Sequence, residues 1–378
     1  MTRAADTAWI AERAKSLGFG ACGVVRAERF PEFVHTEEWL ARGYAGEMKY
    51  LFDSRRTNPE LSMPGVVSII VCLLNYQTEH ALSTDSTVVP GDGPPRGWIS
   101  RYAWGDDYHE VLRARLDALV ELLRERFTGP FKARSYVDTG PIQERVLAKY
   151  AGLGWLGKNT LLLNSTMGSY FFLGVVLTTL DLDPTLVANE LPAPDLCGNC
   201  RQCLDACPTQ AFAEPYVLDA RKCISYLTIE LRGAIPAEFR ANVGNHVFGC
   251  DICQDVCPWN RHAPISFVPQ FQPRSLPSSK EKDAGSAPRT LKDSLFLPRL
   301  EWLLGLSETE FREFFRGSAV RRAKWRGLLR NACIAAGNSS VARGSPAHAR
   351  LCDLLRKLTA CGDSLLMESA QWALSRIQ

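Results

Sequence analysis

Four cysteines fall within eleven positions of "CGNCRQCLDACPTQAF" (197–212), and Pro208 follows the last of them. Thiolates at this spacing form the bacterial ferredoxin run, in which three grip one cubane and the fourth reaches a second cluster. Downstream, "CDICQDVCP" supplies Cys250, Cys253 and Cys257, again closed by a proline, and Cys223 in "DARKCISYL" completes a set of eight. The pattern assigns Cys197, Cys200, Cys203 and Cys257 to one 4Fe-4S cluster and Cys207, Cys223, Cys250 and Cys253 to the other. A zinc ribbon would set its CxxC pairs roughly 15 to 20 residues apart. Here 46 residues lie between Cys203 and Cys250, and a ribbon has no use for the Cys-Pro endings. Cys22, Cys72, Cys333, Cys352 and Cys361 are scattered on apolar stretches and read as buried small hydrophobes.

Two clusters imply one-electron traffic, and the long segment before them is the place for the group that receives it. The elements there alternate. "DTAWIAERAKSLG" is a helix ended by glycine, and "VVSIIVCLLNY" (66–76) is a continuous apolar strand. "DDYHEVLRARLDALVELLRERFTG" carries Val111, Leu112, Leu116, Leu119, Val120, Leu123 and Phe127 on one helical stripe. "FKARSYVD" is a strand, Gly140-Pro141 opens a further helix, and "YFFLGVVLTTL" (170–180) is another buried strand. No G-x-G-x-x-G opens a helix after a strand, and no P-loop is present, so dinucleotide and P-loop fingerprints are lacking.

The expected architecture is α+β and multidomain. A mixed α/β sheet domain spans 1–185, a ferredoxin-like domain 186–265, a Pro/Ser-rich linker 266–290, and a helical region with HEAT-like pairing 291–378. The apolar run at 170–180 is too short for a bilayer span. Its start shows neither signal-peptide run nor twin-arginine pair, so clustered cysteines point to the reducing cytoplasm and to metal ligation.

Several segments together resemble the epoxyqueuosine reductase family: "ISRYAWGDDYHEVL", "VDTGPIQERVLAKYAGLGWLGKNT", "GSYFFLGVVLTTL", the cysteine runs, "CISYLTIELRGAIP" and "GNHVFGCDICQDVCPWN". The resemblance implies a cobalamin in the N-terminal domain, reduced by the clusters. The reaction it implies is reduction of epoxyqueuosine to queuosine at the wobble position of tRNA. It places the proton donor on Asp138 and corrinoid contacts on Lys158, Asn159, Thr160, Ser169 and Arg56, with Tyr102, His109 and His246 as further pocket residues. Asp107-Tyr108-His109 lacks the glycine of a D-x-H-x-x-G cobalt-ligand motif, so a corrinoid without a histidine ligand is expected. A corrinoid iron-sulfur reductive dehalogenase, a non-catalytic iron-sulfur electron-transfer protein and a flavin enzyme fused to a ferredoxin are the competing readings.

The resemblance implies a tRNA partner, and charge indicates where it would dock, although by charge alone the same face reads as a solvated helix. From Phe314 to Cys352 there is no Asp or Glu, while Arg316, Arg321, Arg322, Lys324, Arg326, Arg330, Arg343 and Arg350 contribute eight cations. The whole chain is only +3, so the remainder is net negative. A segregated basic helical face is the footprint of a phosphate backbone, which makes Arg321, Arg322, Lys324, Arg326 and Arg330 candidate tRNA contacts. A low-potential electron donor is also implied, and the chain is expected to act as a monomer. Protein purified without oxygen from cobalamin-supplied cells is predicted to carry about eight iron and one cobalt per chain, by metal analysis. Eight iron with no bindable corrinoid would leave an electron carrier or flavin enzyme.

Overall fold

The run at 66–76 is apolar on every residue from Ile69 to Leu74 because both of its faces are covered. The computed structural model describes residues 3–85, 93–186, 194–277 and 293–378. The chain opens with helix α1 (Arg3–Ser16) and strand β1 (Ala21–Arg26), then places β2 (Ser68–Asn75) at the middle of a four-stranded sheet. After β3 (Trp98–Ile99) come helix α2 (Tyr108–Arg126), β4 (Ala133–Val137), α3 (Glu144–Tyr150) and β5 (Phe171–Thr178). The sheet order is β1-β2-β5-β4, and Cys72 faces both Cys22 and Gly174 across the ladders.

Alternate residues explain the cover. Ile70, Cys72, Leu74 and Val176 lie under α1 and under Leu112, Leu116, Leu119 and Leu123 of α2. Ile69, Val71, Leu73, Val175 and Leu177 pack on Val146, Leu147 and Ala148 of α3. The expected mixture of helices and sheet is present, and every pairing in the sheet is antiparallel. A sheet buried on both faces loses the polar alternation that usually marks antiparallel strands, so its direction is hidden. The helix expected to open at Gly140-Pro141 begins instead at Glu144.

Beyond the sheet, β6 (His246–Phe248) pairs in parallel with β3 and carries the second cysteine run against the N-terminal half. Three helices, α4 (Lys324–Gly337), α5 (Pro346–Thr359) and α6 (Ser364–Ile377), close the chain. Helix α4 is central: from Leu328 to Gly337 every residue is buried. The expected linker 266–290 is corrected in its first part. Ser266 donates its N–H to the Gln77 carbonyl at 2.7 Å, Phe271 is buried, and Arg274 holds the Arg316 carbonyl at 2.9 Å. The rest of that linker, from residue 278, lies outside the described residues, as does 187–193 after the first expected domain.

Arg330 is a second correction, because it is a buried bolt and not a surface cation. Its Nη1 donates to the carbonyls of Leu231 and Gly233 at 2.8 and 2.6 Å, and its Nη2 to that of Leu227 at 2.5 Å. Asn331 beside it accepts from the guanidinium and donates to the carbonyls of Thr228 and Val247, both at 2.8 Å. Burial pushes the Arg330 pKa down to about 10, which leaves it charged at neutral pH. Cys361 is exposed, against expectation, and Cys22 is half-buried with its Sγ 3.5 Å from that of Cys72.

Arg330→Ala removes the donor to three carbonyls, that of Leu227 buried, and leaves a hole in a buried site, so it is expected to destabilise the fold by about 3–5 kcal/mol. The check is a thermal-unfolding midpoint at fixed iron content. A surface cation would move it by a few tenths of that.

Candidate active site and cluster-binding loops

Asp138 ends β4 with φ +49, a left-handed backbone that turns its carboxylate out of the sheet. Tyr108, the first residue of α2, donates its hydroxyl to Asp138 Oδ2 at 2.7 Å. His109 Nε2 lies 3.5 Å from the same oxygen, and its Nδ1 lies 2.7 Å from Asp107 Oδ1. Asp107 caps α2 by accepting the His109 N–H, so one residue starts the helix and aims the imidazole. Water still reaches 64% of the Asp138 side chain, so the carboxylate faces an open cleft.

Electrostatics sets the protonation states. The protein walls packed around the open carboxylate would by themselves raise the Asp138 pKa. Hydrogen bonds from His109 and Tyr108, with the charges of His109 and Arg56, outweigh this effect and hold the carboxyl below its ordinary range. Burial would lower His109, but its bonds to Asp107 and Asp138 push it up to about 9. Glu144, at the start of α3, moves the other way: burial and the nearby Asp138 charge push it up to about 8. At pH 7 the cleft therefore holds an aspartate, an imidazolium and a neutral glutamic acid.

Arg56 joins this cleft through its bonds to the carbonyls of Tyr50 and Ile142 at 3.2 and 3.3 Å. Tyr102 meets Tyr108 edge to face at 5.8 Å and Phe248 of β6 at 6.0 Å, so it stands between the acid and the second cysteine run. Thr160 has φ +65 and accepts Arg145 on its carbonyl. Sequence reasoning did not single out Tyr108, Glu144 or Arg145. The signal available for the last two was their position six and seven residues after Asp138.

The other expected corrinoid contacts serve a different surface. Lys158 donates to the carbonyls of Gly198 and Cys200, and Asn159 Nδ2 to that of Cys253 at 3.1 Å. Ser169 is buried among Asn260, which accepts its N–H at 2.7 Å, and Gln254. Gly168 permits this approach: with φ +65, a Cβ there would meet Asn260 Oδ1 at 2.2 Å. These side chains strap the cysteine loops to the sheet domain. His246 is buried with Nδ1 2.9 Å from the Val243 carbonyl, and its Nε2 has no hydrogen-bond partner among the described residues.

The thiols fall into neighbourhoods. Cys203 feels the charges of Cys257, Cys197 and Cys200, while Cys250 feels Cys253 and Cys223, and Cys223 feels Cys207. Cys253 touches both sets, with Cys223 and Cys207 on one side and Cys203 on the other. Burial raises these thiols, so bringing them to thiolates requires the positive charge of bound iron.

A family model described as epoxyqueuosine reductase QueG matches residues 56–139, and one for a 4Fe-4S double cluster binding domain matches 196–260. The chain is 40% identical to an epoxyqueuosine reductase of Pseudomonas aeruginosa over 96% of this chain and 92% of that one. It is 41% identical to that of Gloeobacter violaceus over 89% of this chain and 97% of the other. The chain belongs to the epoxyqueuosine reductase family. Among solved structures, a family member crystallised with an epoxyqueuosine-modified tRNA-Tyr stem loop superposes at a TM-score of 0.82. That match has 30% identity and covers 98% of this chain and 89% of that one. A Bacillus subtilis member with its catalytic aspartate loop swung out of the active site matches at 0.78 and 29% identity, covering 98% and 90%. Among the described residues no helix is long and apolar enough to cross a membrane.

His109 carries a raised pKa, so its contribution to stability is complete below about pH 6.5 and is lost as pH rises through about 9. Histidine NMR is expected to show one imidazole titrating near 9. Asp138→Asn should move that titration downwards, and an unchanged value would remove the Asp138–His109 contact.

Proposed function

We propose that this chain reduces epoxyqueuosine to queuosine at the wobble position of tRNA. The carrying observation is one cleft acid, Asp138, held by Tyr108 and His109 in a sheet domain whose Lys158 and Asn159 bond the backbone of both cysteine runs. The domains read as a sheet domain over 1–185, a two-cluster domain over 186–265, a connection over 266–290 and HEAT-like helices over 291–378. Cys197, Cys200, Cys203 and Cys257 hold one cluster, and Cys207, Cys223, Cys250 and Cys253 the other. The neighbourhoods of Cys203, Cys223 and Cys250 support this division.

The cleft fits a cobalamin. Glu144 Oε1 is buried without a hydrogen-bond partner among the described residues, which is what a polar ligand would satisfy. Arg56, Tyr102, Asp138 and Thr160 are the residues to hold it, with Lys158, Asn159, Ser169 and His246 behind them against the clusters. When bound, cobalamin supplies the strongly reducing centre that the clusters recharge.

Opening an epoxide to an alkene and water consumes two electrons and two protons. The sequence argues that burial makes Asp138 the stored acid. The contacts of Asp138 favour a relay, since His109 Nε2 lies 3.5 Å from a carboxylate held ionised while the imidazole holds the proton. A developing alkoxide is far more basic than imidazole, so the net transfer from His109 to oxygen is downhill, with Asp138 passing the proton on as the oxygen takes it. Asp107 keeps the ring pointed at Asp138 throughout. Neutral Glu144 is the reserve for the second proton.

For the RNA, the basic face is redistributed. Arg321 and Lys324 are exposed, whereas Arg322 pairs with Glu230 and Arg326 with Asp363. Trp325 packs through Nε1 on the Leu306 carbonyl. Phosphate contact rests on Arg321 and Lys324 first. The setting is the cytoplasm, with an external low-potential electron donor and a monomeric enzyme.

Asp138→Ala is expected to keep all eight iron but lose turnover of epoxyqueuosine-containing tRNA by 10²-fold or more, the usual scale for a proton-transfer group. Product nucleoside analysis reads this out. Near-normal turnover would take Asp138 out of the chemistry.

A further inference from the structure

Two aromatic rings stand exposed at the rim of the cleft. Tyr50 and Phe52, on the single turn Lys49–Phe52, have 46% and 61% of their surface open. Arg56 and Arg322 bring their guanidinium carbons to 5.6 and 5.5 Å from the Tyr50 ring centre. These arginines come from opposite ends of the chain. Arg322 lies on the turn Ala319–Ala323, whose backbone is fixed by Arg232 donating to the Arg322 carbonyl at 3.0 Å. Arg56 ties this turn to the cleft, donating to the Tyr50 carbonyl at 3.2 Å and to that of Ile142, four residues after Asp138, at 3.3 Å.

We propose that Tyr50 and Phe52 form a stacking shelf for the anticodon base next to the modified nucleoside, with Arg322 taking the adjoining phosphate. This rests on the tRNA reading above. A nucleoside drawn into the cleft leaves its neighbours unstacked, and exposed aromatic faces are the protein's substitute for the lost stack. Arg322 is held at present by Glu230, at 2.8 and 2.9 Å. Glu230, only 17% exposed, engages Nε and Nη2 of a guanidinium that is 48% exposed, so a phosphate would take the exposed edge of Arg322 and leave this pair in place.

The test uses the cluster-loaded full chain and an anticodon stem loop bearing epoxyqueuosine, with 2-aminopurine as the next nucleotide on the 3′ side. Binding to the wild type is expected to quench the fluorophore. Tyr50→Ala should weaken binding about 5- to 100-fold and relieve the quench, while Tyr50→Trp retains both. Arg322→Gln should lower the salt slope of binding by about one contact. Iron content and the cluster absorption check that each variant is folded, and Phe52→Ala serves if Tyr50→Ala is not. Wild-type affinity and quenching in both alanine variants would overturn the shelf while leaving the tRNA reading intact. A wild type that fails to bind the stem loop would overturn that reading and the shelf with it.

Discussion

Two carboxylates buried inside the second cysteine run hold the molecule together. Asp251 sits between Cys250 and Cys253 and accepts from Trp98 Nε1 at 3.0 Å, the Arg101 N–H at 2.9 Å and the Ser100 hydroxyl. Asp255 accepts from the Ser83 N–H at 2.6 Å and from the hydroxyls of Ser83 and Tyr170. Burying a charge is tolerable only where hydrogen bonds replace its water. These partners all come from the N-terminal half, so the cysteine loop can bury its acids only when docked on that half. Arg101, equally buried, answers them with bonds to the Thr78, His80 and Ala81 carbonyls.

The docking serves electron flow. Lys158 and Asn159 reach the first and second cysteine loops from one turn of the sheet domain. Tyr102 links that interface to Tyr108 and so to Asp138. The same polar contacts that make the interface rigid thus fix the distance between the thiols and the cleft. On the far side, Arg330 and Asn331 lock α4 to the segment 227–233 and to β6.

The sequence disclosed most where its signals are local. Within each cysteine run two or three residues separate neighbouring thiols, and Leu112 to Leu123 repeat at helical spacing, so both could be read without knowing the fold. Strand direction could not, since burial on both faces erases the alternation. Arg330 misled for a physical reason: charge counting treats every arginine as solvated, and its acceptors are carbonyls about a hundred residues away. Lys158, Asn159 and Ser169 were placed near the cofactor by resemblance, yet their visible bonds go to the cysteine loops. Tyr50 gave no motif, because its significance comes from Arg56 and Arg322 converging on it in space.

The backbone of Asp138 carries a last consequence. A residue with a Cβ occupies the left-handed region at a cost of roughly 1–2 kcal/mol, which the surroundings must offset. Here the offset comes from Tyr108 and His109 gripping its carboxylate. Grip and backbone preference pull against each other, so the position of this turn depends on what the carboxylate is bonded to. Whatever competes for the carboxylate, whether a proton or a bound ligand, also loosens the turn.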